Sequence, residues 1–301
     1  GNSWRAGDDR QRNRNLSQRR RGGGYACTES NELTADMATT LSVFRVFLSI
    51  CCGFAAASVA FADDHRNPAA WQELFNGKDL DAWTVKIAGQ PVGQDKYQTF
   101  RVEDGLLQVR YDNYDGFADQ FGHIFFQQPF SRYELLIEYR FVGTQVSDGP
   151  AWAQRNSGVM LHAQNPTTMA LDQDFPVSIE AQFLGGLSDN KRRPTGNVCT
   201  PGTDIVLGDS LANQHCSYSS SATFDGDQWV QVHIVVDGNR QFQHRINNEV
   251  VMTYRSPQLT ADMANAKSNT QLALRQGFIA LQSESHPIDF RRVALRALDQ
   301  E

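Results

Sequence analysis

An all-β protein, a sandwich or jelly roll of many short strands, is the fold class this sequence predicts. Three observations carry that reading: apolar residues recur at every second position in segment after segment, turn-forming residues separate the segments, and helical periodicity is weak. Segment 100–109 (FRVEDGLLQV) doubles back at Asp104-Gly105. Segments 132–142 (RYELLIEYRFV), 158–164 (GVMLHAQ) and 177–184 (VSIEAQFL) follow with the same period of two. Segments 229–236 (WVQVHIVV), 240–246 (RQFQHRI) and 249–254 (EVVMTY) are joined by Asp237-Gly238-Asn239 and Asn247-Asn248, hairpin signals that make the three a meander. Segments 277–282 (GFIALQ) and 288–298 (IDFRRVALRAL) close the pattern. Residues 256–266 are the best short helix candidate, and 69–73 read as one helical turn. Residues 184–228, rich in Gly, Ser, Asn, Asp and Pro, break the rhythm; a stretch of that length is usually functional or disordered.

The chain has 301 residues, 40% of them hydrophobic, enough for a full-sized core and too many for wholesale disorder. Its net charge of −6 is unevenly spread. Residues 1–62 hold eight Arg and five acids, leaving 20 basic and 29 acidic residues in 63–301. A body carrying about −9 lacks the basic face that neutralises phosphates, so nucleic acid is not its expected partner.

Residues 1–36, rich in Arg, Gly and Asn, read as an upstream extension of the reading frame. From Met37 the texture changes: Arg45, an uncharged apolar run over 46–62, then Ala60-Phe61-Ala62 before Asp63. That order is a signal peptide over 37–62, which places the expected product in the bacterial periplasm or outside the cell, with no membrane insertion after cleavage. Residues 63–301 are then one β-sandwich domain. Only Cys199 and Cys216 fall in that body, and no Cys-x-x-Cys or His-x-x-Cys spacing accompanies them. A disulfide is the favoured reading, closing a loop of about 17 residues worth on the order of 3 kcal/mol. It would make 184–228 an ordered loop that shapes a site.

Strand alternation decides which side chains share a face. Val177, Ile179, Ala181 and Phe183 point to the core, so Ser178, Glu180 and Gln182 point away. By the same parity Met160, His162 and Gln164 oppose Val159, Leu161 and Ala163, while Gln282, Glu284 and His286 oppose Ile279, Leu281 and Ser283. A shared concave face would gather His162, Glu180, Gln182, Gln282 and Glu284. Two carboxylates with amide hydrogen-bonders suit sugars: one protonates a leaving oxygen, the other acts as base or nucleophile. Trp152 could stack on a pyranose ring. Solvated antiparallel faces also carry such residues routinely. The nucleophile-elbow, phosphate-loop, zinc-protease and dinucleotide motifs are absent from the sequence, and so is the E-x-D-x-x-E pattern of laminarinase-type glycosidases.

Six ordered segments carry a resemblance: 71–83 (WQELFNGKDLDAW), 155–164 (RNSGVMLHAQ), 175–186 (FPVSIEAQFLGG), 195–203 (TGNVCTPGT), 227–239 (DQWVQVHIVVDGN) and 277–295 (GFIALQSESHPIDFRRVAL). Together they resemble the 3-keto-disaccharide hydrolase domain family over nearly all of 71–298. The resemblance implies a concanavalin A-like jelly-roll sandwich of two antiparallel sheets and cleavage of a glycosidic bond in a sugar oxidised at C3. It carries the family's polar positions onto Asn156, Ser157, Glu180, Gln182, Gln282 and Glu284. Many members have Arg at the position of His162, and the Glu284-Ser285 pair replaces an acid or His followed by Gly. A 3-ketone acidifies the C2 hydrogen, so the implied chemistry has Glu180 or His162 as base, Glu284 or its neighbour as acid, and a divalent cation left open as a group that polarises the ketone. The competing class is a non-catalytic, lectin-like carbohydrate-binding module, which the same fold serves.

Overall fold

A computed structural model describes residues 70–212, 214–266 and 272–299. The extension over 1–36 and the signal peptide over 37–62 lie outside the described residues. The strands, in chain order, are β1 (Gln72–Glu73), β2 (Trp83–Ile87), β3 (Phe100–Glu103), β4 (Leu106–Val109), β5 (Gly122–Phe126) and β6 (Arg132–Phe141). Then come β7 (Asn156–Ala163), β8 (Ile179–Leu184), β9 (Asn197–Cys199), β10 (Thr203–Leu207), β11 (Ser210–Leu211) and β12 (Cys216–Ser217). The meander is β13 (Val230–Asp237), β14 (Gln241–Ile246) and β15 (Glu249–Leu259); after the helix α1 (Ala261–Ala266), β16 (Phe278–Ser283) and β17 (Ile288–Ala297) complete the set.

Among the described residues these strands make two antiparallel sheets, the sandwich that the alternation predicts. The larger has ten strands, ordered β11-β10-β15-β14-β13-β6-β17-β4-β3 with β1 also on β17; the smaller has seven, ordered β12-β9-β8-β7-β16-β5-β2. At the centre of the large sheet, β6 buries Tyr133, Leu135, Ile137, Tyr139 and Phe141 at alternate positions. Its other face carries carboxylates paired with basic neighbours, Glu138 with Arg291 and Glu134 with His233 and Arg296. The core lies between the sheets, where Val159, Leu161, Ile179, Ala181, Phe183, Ile279 and Leu281 of the small sheet meet β6, β13 and β17. Strands β5 and β7 differ from β6 in being buried at every residue, so the small sheet's second face is covered as well.

Three local expectations change. Residues 256–259 extend β15, and the helix begins only at Ala261. Gln72 and Glu73 pair with Leu295 and Ala294 of β17 as a strand rather than a helical turn. The irregular stretch 184–228 contains β9 to β12, too short to show a period. Cys199 and Cys216 face each other across β9 and β12 and are joined by the expected disulfide, with a Cα–Cα distance of 4.1 Å.

Candidate functional site

The second face of the small sheet is built row by row from strand register. One row runs Cys199, Glu180, Met160, Ala280, Phe125 across β9, β8, β7, β16 and β5. The next runs Asn197, Gln182, Gly158, then Gln282, His123 and Lys86 on β16, β5 and β2. Every side chain of this second row is polar, and the one gap is a glycine. That gap is used: a Cβ on Gly158 would lie 2.5 Å from Oε1 of Glu180 and 2.9 Å from its Cγ. Glu180 therefore leans from its own row over β7, the strand next to β16.

Glu284 follows directly on β16 and is fixed by its flanks. Ser285 adopts a left-handed backbone (φ 83°), donates its N–H to the hydroxyl of Tyr111 (2.8 Å) and accepts from Nε2 of Gln145 (2.8 Å). Glu180 and Glu284 are both buried, and Oε1 of the first and Oε2 of the second have no hydrogen-bond partner. Burial pushes Glu180 up to about 8. Burial pushes Glu284 well above the usual carboxylate range too, and the nearby Glu180 charge adds to the rise, against a smaller opposing pull from Arg193. Two carboxyl groups so placed cannot both ionise readily; one keeps its proton.

Around the pair lie more buried polar atoms without partners: Oδ1 of Asn156, both amide atoms of Gln282 and both ring nitrogens of His123. Buried polar atoms are nearly always paired, so a cluster of orphans on one face marks a place shaped for a polar ligand. Gln182 is held by Nδ2 of Asn197 at 2.9 Å. Burial lowers His123 to about 3, with the Lys86 charge as a second cause, so its imidazole is neutral. From His123 an aromatic chain leads outward: Phe175 at 6.0 Å, Phe121 on Phe175 at 5.0 Å, and Trp152 stacked on Phe121 at 5.8 Å. Trp152 is 42% exposed, on the short 3₁₀ turn Ala151–Ala153. Arg193, from the irregular stretch, donates to the carbonyls of Arg155 (3.0 Å), Gln154 (2.6 Å) and Gly185, and so ties that turn to the end of β8.

The structure thus brings together Asn156, Glu180, Gln182, Gln282 and Glu284, with Trp152 at the outer end of the stack. It does not bring His162. That residue has φ 49°, and the β7–β16 register shifts between Phe278 and Ala280. The left-handed residue turns the imidazole to the core side, where it packs on Phe242 (5.2 Å) and Tyr133 (6.5 Å) and donates from Nε2 to the carbonyl of Gly238 (2.7 Å). Ala163 consequently joins Met160 on the opposite side. Ser157 also leaves the site, because its hydroxyl donates to the backbone carbonyl of Gln282 (3.0 Å) and clamps β7 to β16. Residues that the sequence reading missed are His123, Lys86, Gly158 and Arg193. The signal for the first two was one ionisable residue inside each of two short, mostly apolar runs, WTVKI and GHIFF.

Among the described residues no three His, Cys, Asp or Glu side chains gather as the donor set of a metal ion. Among the described residues, no helix is long and apolar enough to cross a membrane.

Fold and site together define a jelly-roll protein with a buried carboxylate pair on one sheet face. The sequence matches the 3-keto-alpha-glucoside-1,2-lyase-like domain over residues 70–296, and the chain belongs to that family. No curated protein matches it. In fold it is similar to a candidate glycosyl hydrolase from Parabacteroides distasonis ATCC 8503, 17% identical over 76% of this chain and 100% of that one, with a TM-score of 0.45. It is similar to the β-glucanase of Bacillus licheniformis (10% identity, 77% and 100% covered, TM-score 0.44). A Bacillus subtilis protein of galectin-like fold gives 11% identity, 77% and 96% coverage and a TM-score of 0.46.

Proposed function

We propose that this protein cleaves the glycosidic bond of a 3-keto-α-glucoside or a related 3-keto-disaccharide, with Glu180 as base and Glu284 as acid. The observation that carries the reading is the buried pair itself, with Glu180 laid over Gly158 and its charge acting on Glu284. In its carboxylate form Glu180 removes the C2 hydrogen of the sugar. The C–H electron pair becomes a C2–C3 double bond, and the ketone π pair moves onto the C3 oxygen. When the C3 carbonyl re-forms, the C2–C3 pair shifts to C1–C2 and the bond from C1 to the glycosidic oxygen breaks. Glu284 gives its proton to that oxygen, releasing an alcohol and an unsaturated ketone. Addition of water at C1 completes a hydrolysis; release before it makes the enzyme a lyase. The step needs one ionised and one protonated carboxyl group; mutual repulsion keeps the buried pair from ionising together, and with Glu180 raised to about 8 the singly ionised state is reached as pH rises toward that value. Asn156, Gln182 and Gln282 bind sugar hydroxyls, and Trp152 offers a ring face to a pyranose. The Cys199–Cys216 disulfide supports a periplasmic or extracellular setting, in keeping with the leader read over 37–62.

Turnover of p-nitrophenyl 3-keto-α-glucoside and of a panel of 3-keto-disaccharides tests the reading. Glu180→Gln and Glu284→Gln should each lower kcat by about a hundredfold or more, and EDTA should leave turnover in place. Full turnover in Glu180→Gln would sink the assignment. Tight sugar binding without turnover across the panel would move the protein to the class of carbohydrate-binding modules.

A further inference from the structure

Gln282 and His123 are direct cross-strand partners on β16 and β5, and both side chains are fully buried. All four of their side-chain polar atoms lack a partner. Two adjacent side chains of this kind are costly to keep unless a ligand pairs with them. Their position narrows what that ligand is. They continue the row that contains Gly158, the residue over which Glu180 lies, so the carboxylate reaches toward them from β8 while they stand on the next strands. On His123's other side Phe125 (6.1 Å) and Phe175 (6.0 Å) exclude water.

We infer that His123 and Gln282 form an oxyanion site, donating one N–H each to the C3 oxygen of the sugar as it changes from ketone to enolate. The inference rests on the proposed elimination and adds catalytic residues to it. When the C2 proton passes to Glu180, the negative charge that arrives on the C3 oxygen meets the imidazole N–H and the amide N–H. The charge returns to the breaking C1–O bond as the carbonyl re-forms. Neither residue gives up a proton. A neutral imidazole suits this task, because it donates a hydrogen bond without adding a positive charge that would lower the basicity of Glu180. Lys86, the next residue of the row, is turned away; its ammonium donates to the carbonyls of Ile87 (2.8 Å) and Leu171 (2.9 Å).

The experiment compares the full chain with His123→Phe, Gln282→Leu and the donor-keeping Gln282→Asn, with thermal melting as a check on folding. Two probes are used: p-nitrophenyl 3-keto-α-glucoside and the parent α-glucoside, which has a hydroxyl at C3. The expected result is a loss in kcat on the ketone of about a hundredfold in His123→Phe and Gln282→Leu, partial recovery in Gln282→Asn, and a loss of binding that is larger for the ketone than for the parent glucoside. Where His123→Phe does not fold, the two Gln282 variants carry the same comparison. Equal loss of binding for both probes, or an unchanged kcat beside an inactive Glu180→Gln, overturns the oxyanion site and leaves the proposed function standing. A wild type that does not turn over the ketone, yet binds it better than the parent through His123, keeps the oxygen site and removes the proposed reaction. A wild type that neither turns over nor prefers the ketone overturns both.

Discussion

Glu180 shows how one absent side chain aims another. On β8 its Cα belongs to the row of Cys199 and Met160, yet its carboxylate lies over Gly158, because no Cβ stands there. In Gly158→Ala the new methyl would meet the flexible end of Glu180 at 2.5 Å and the backbone oxygen of Ala181 at 3.1 Å. The carboxylate gives way rather than the sheet. Turnover should therefore fall about a hundredfold, the cost of misplacing a reacting group by an ångström, while the melting temperature drops by only a few degrees; wild-type turnover in this variant would show that the lean of Glu180 has no role. The sequence makes Glu180, Gln182, Gln282 and Glu284 legible because β8 and β16 keep strict alternation through them. His123 was hidden for a physical reason: β5 is buried on both faces and reads as an apolar run, where one polar residue in five carries no parity signal, whereas Lys86 alternates with Thr84 in the short strand β2. Arg193 sits in a stretch with no period at all, where only the fold shows which carbonyls it ties together.

At the level of elements, β7 is where alternation misleads. One left-handed residue, His162, reverses the strand's faces, and a bulge of this kind leaves no mark in a pattern of apolar and polar residues. Its structural need is visible in the neighbour: a Cβ on Gly277 would lie 2.3 Å from the carbonyl carbon of His162, so only glycine fits beside the bulge. The meander β13–β14–β15 was readable because its turn residues, Gly238 with Asn247 and Asn248, adopt the positive φ that such turns require. Strands β9 and β12 were not, being three and two residues long. Their stability comes from the Cys199–Cys216 bridge, and β9 in turn flanks Glu180 through the Cys199 pairing. Replacing both cysteines by Ala should remove about 3 kcal/mol and lower Tm by about 10 °C, and reducing agent should do the same to the wild type. An unchanged melting temperature would mean that β8 and the carbonyl clamp of Arg193 hold this segment without the bridge.

For the whole molecule, the buried titratable groups set opposing pH limits on stability. Glu180, at about 8 when folded against an ordinary 4.5, and Glu284, also raised, bind more protons in the folded state than in the unfolded one. The stability linked to them is fully present below pH 4.5 and drains away as pH rises through the folded values. His123 at about 3, and His162, His244 and His286 at about 4, lie below the ordinary 6.5 through burial, so their contribution is present above pH 6.5 and is lost as pH falls toward 4 and 3. Between 4.5 and 6.5 the two effects oppose each other; above 6.5 only the carboxylates act, and stability should fall. Glu180→Gln removes one of the two groups responsible. It should melt a few degrees above wild type at pH 8.5, with the gap shrinking as pH falls and closing near pH 4.5, although it loses turnover. Such a trade is expected where a protein keeps two carboxyl groups out of water for chemistry rather than for its fold. Melting curves of the two proteins from pH 4.5 to 8.5 decide it. Identical curves, or a gap that widens toward acid, would show that Glu180 ionises as a solvated carboxylate does, and the division of the pair into base and acid would lose its physical cause.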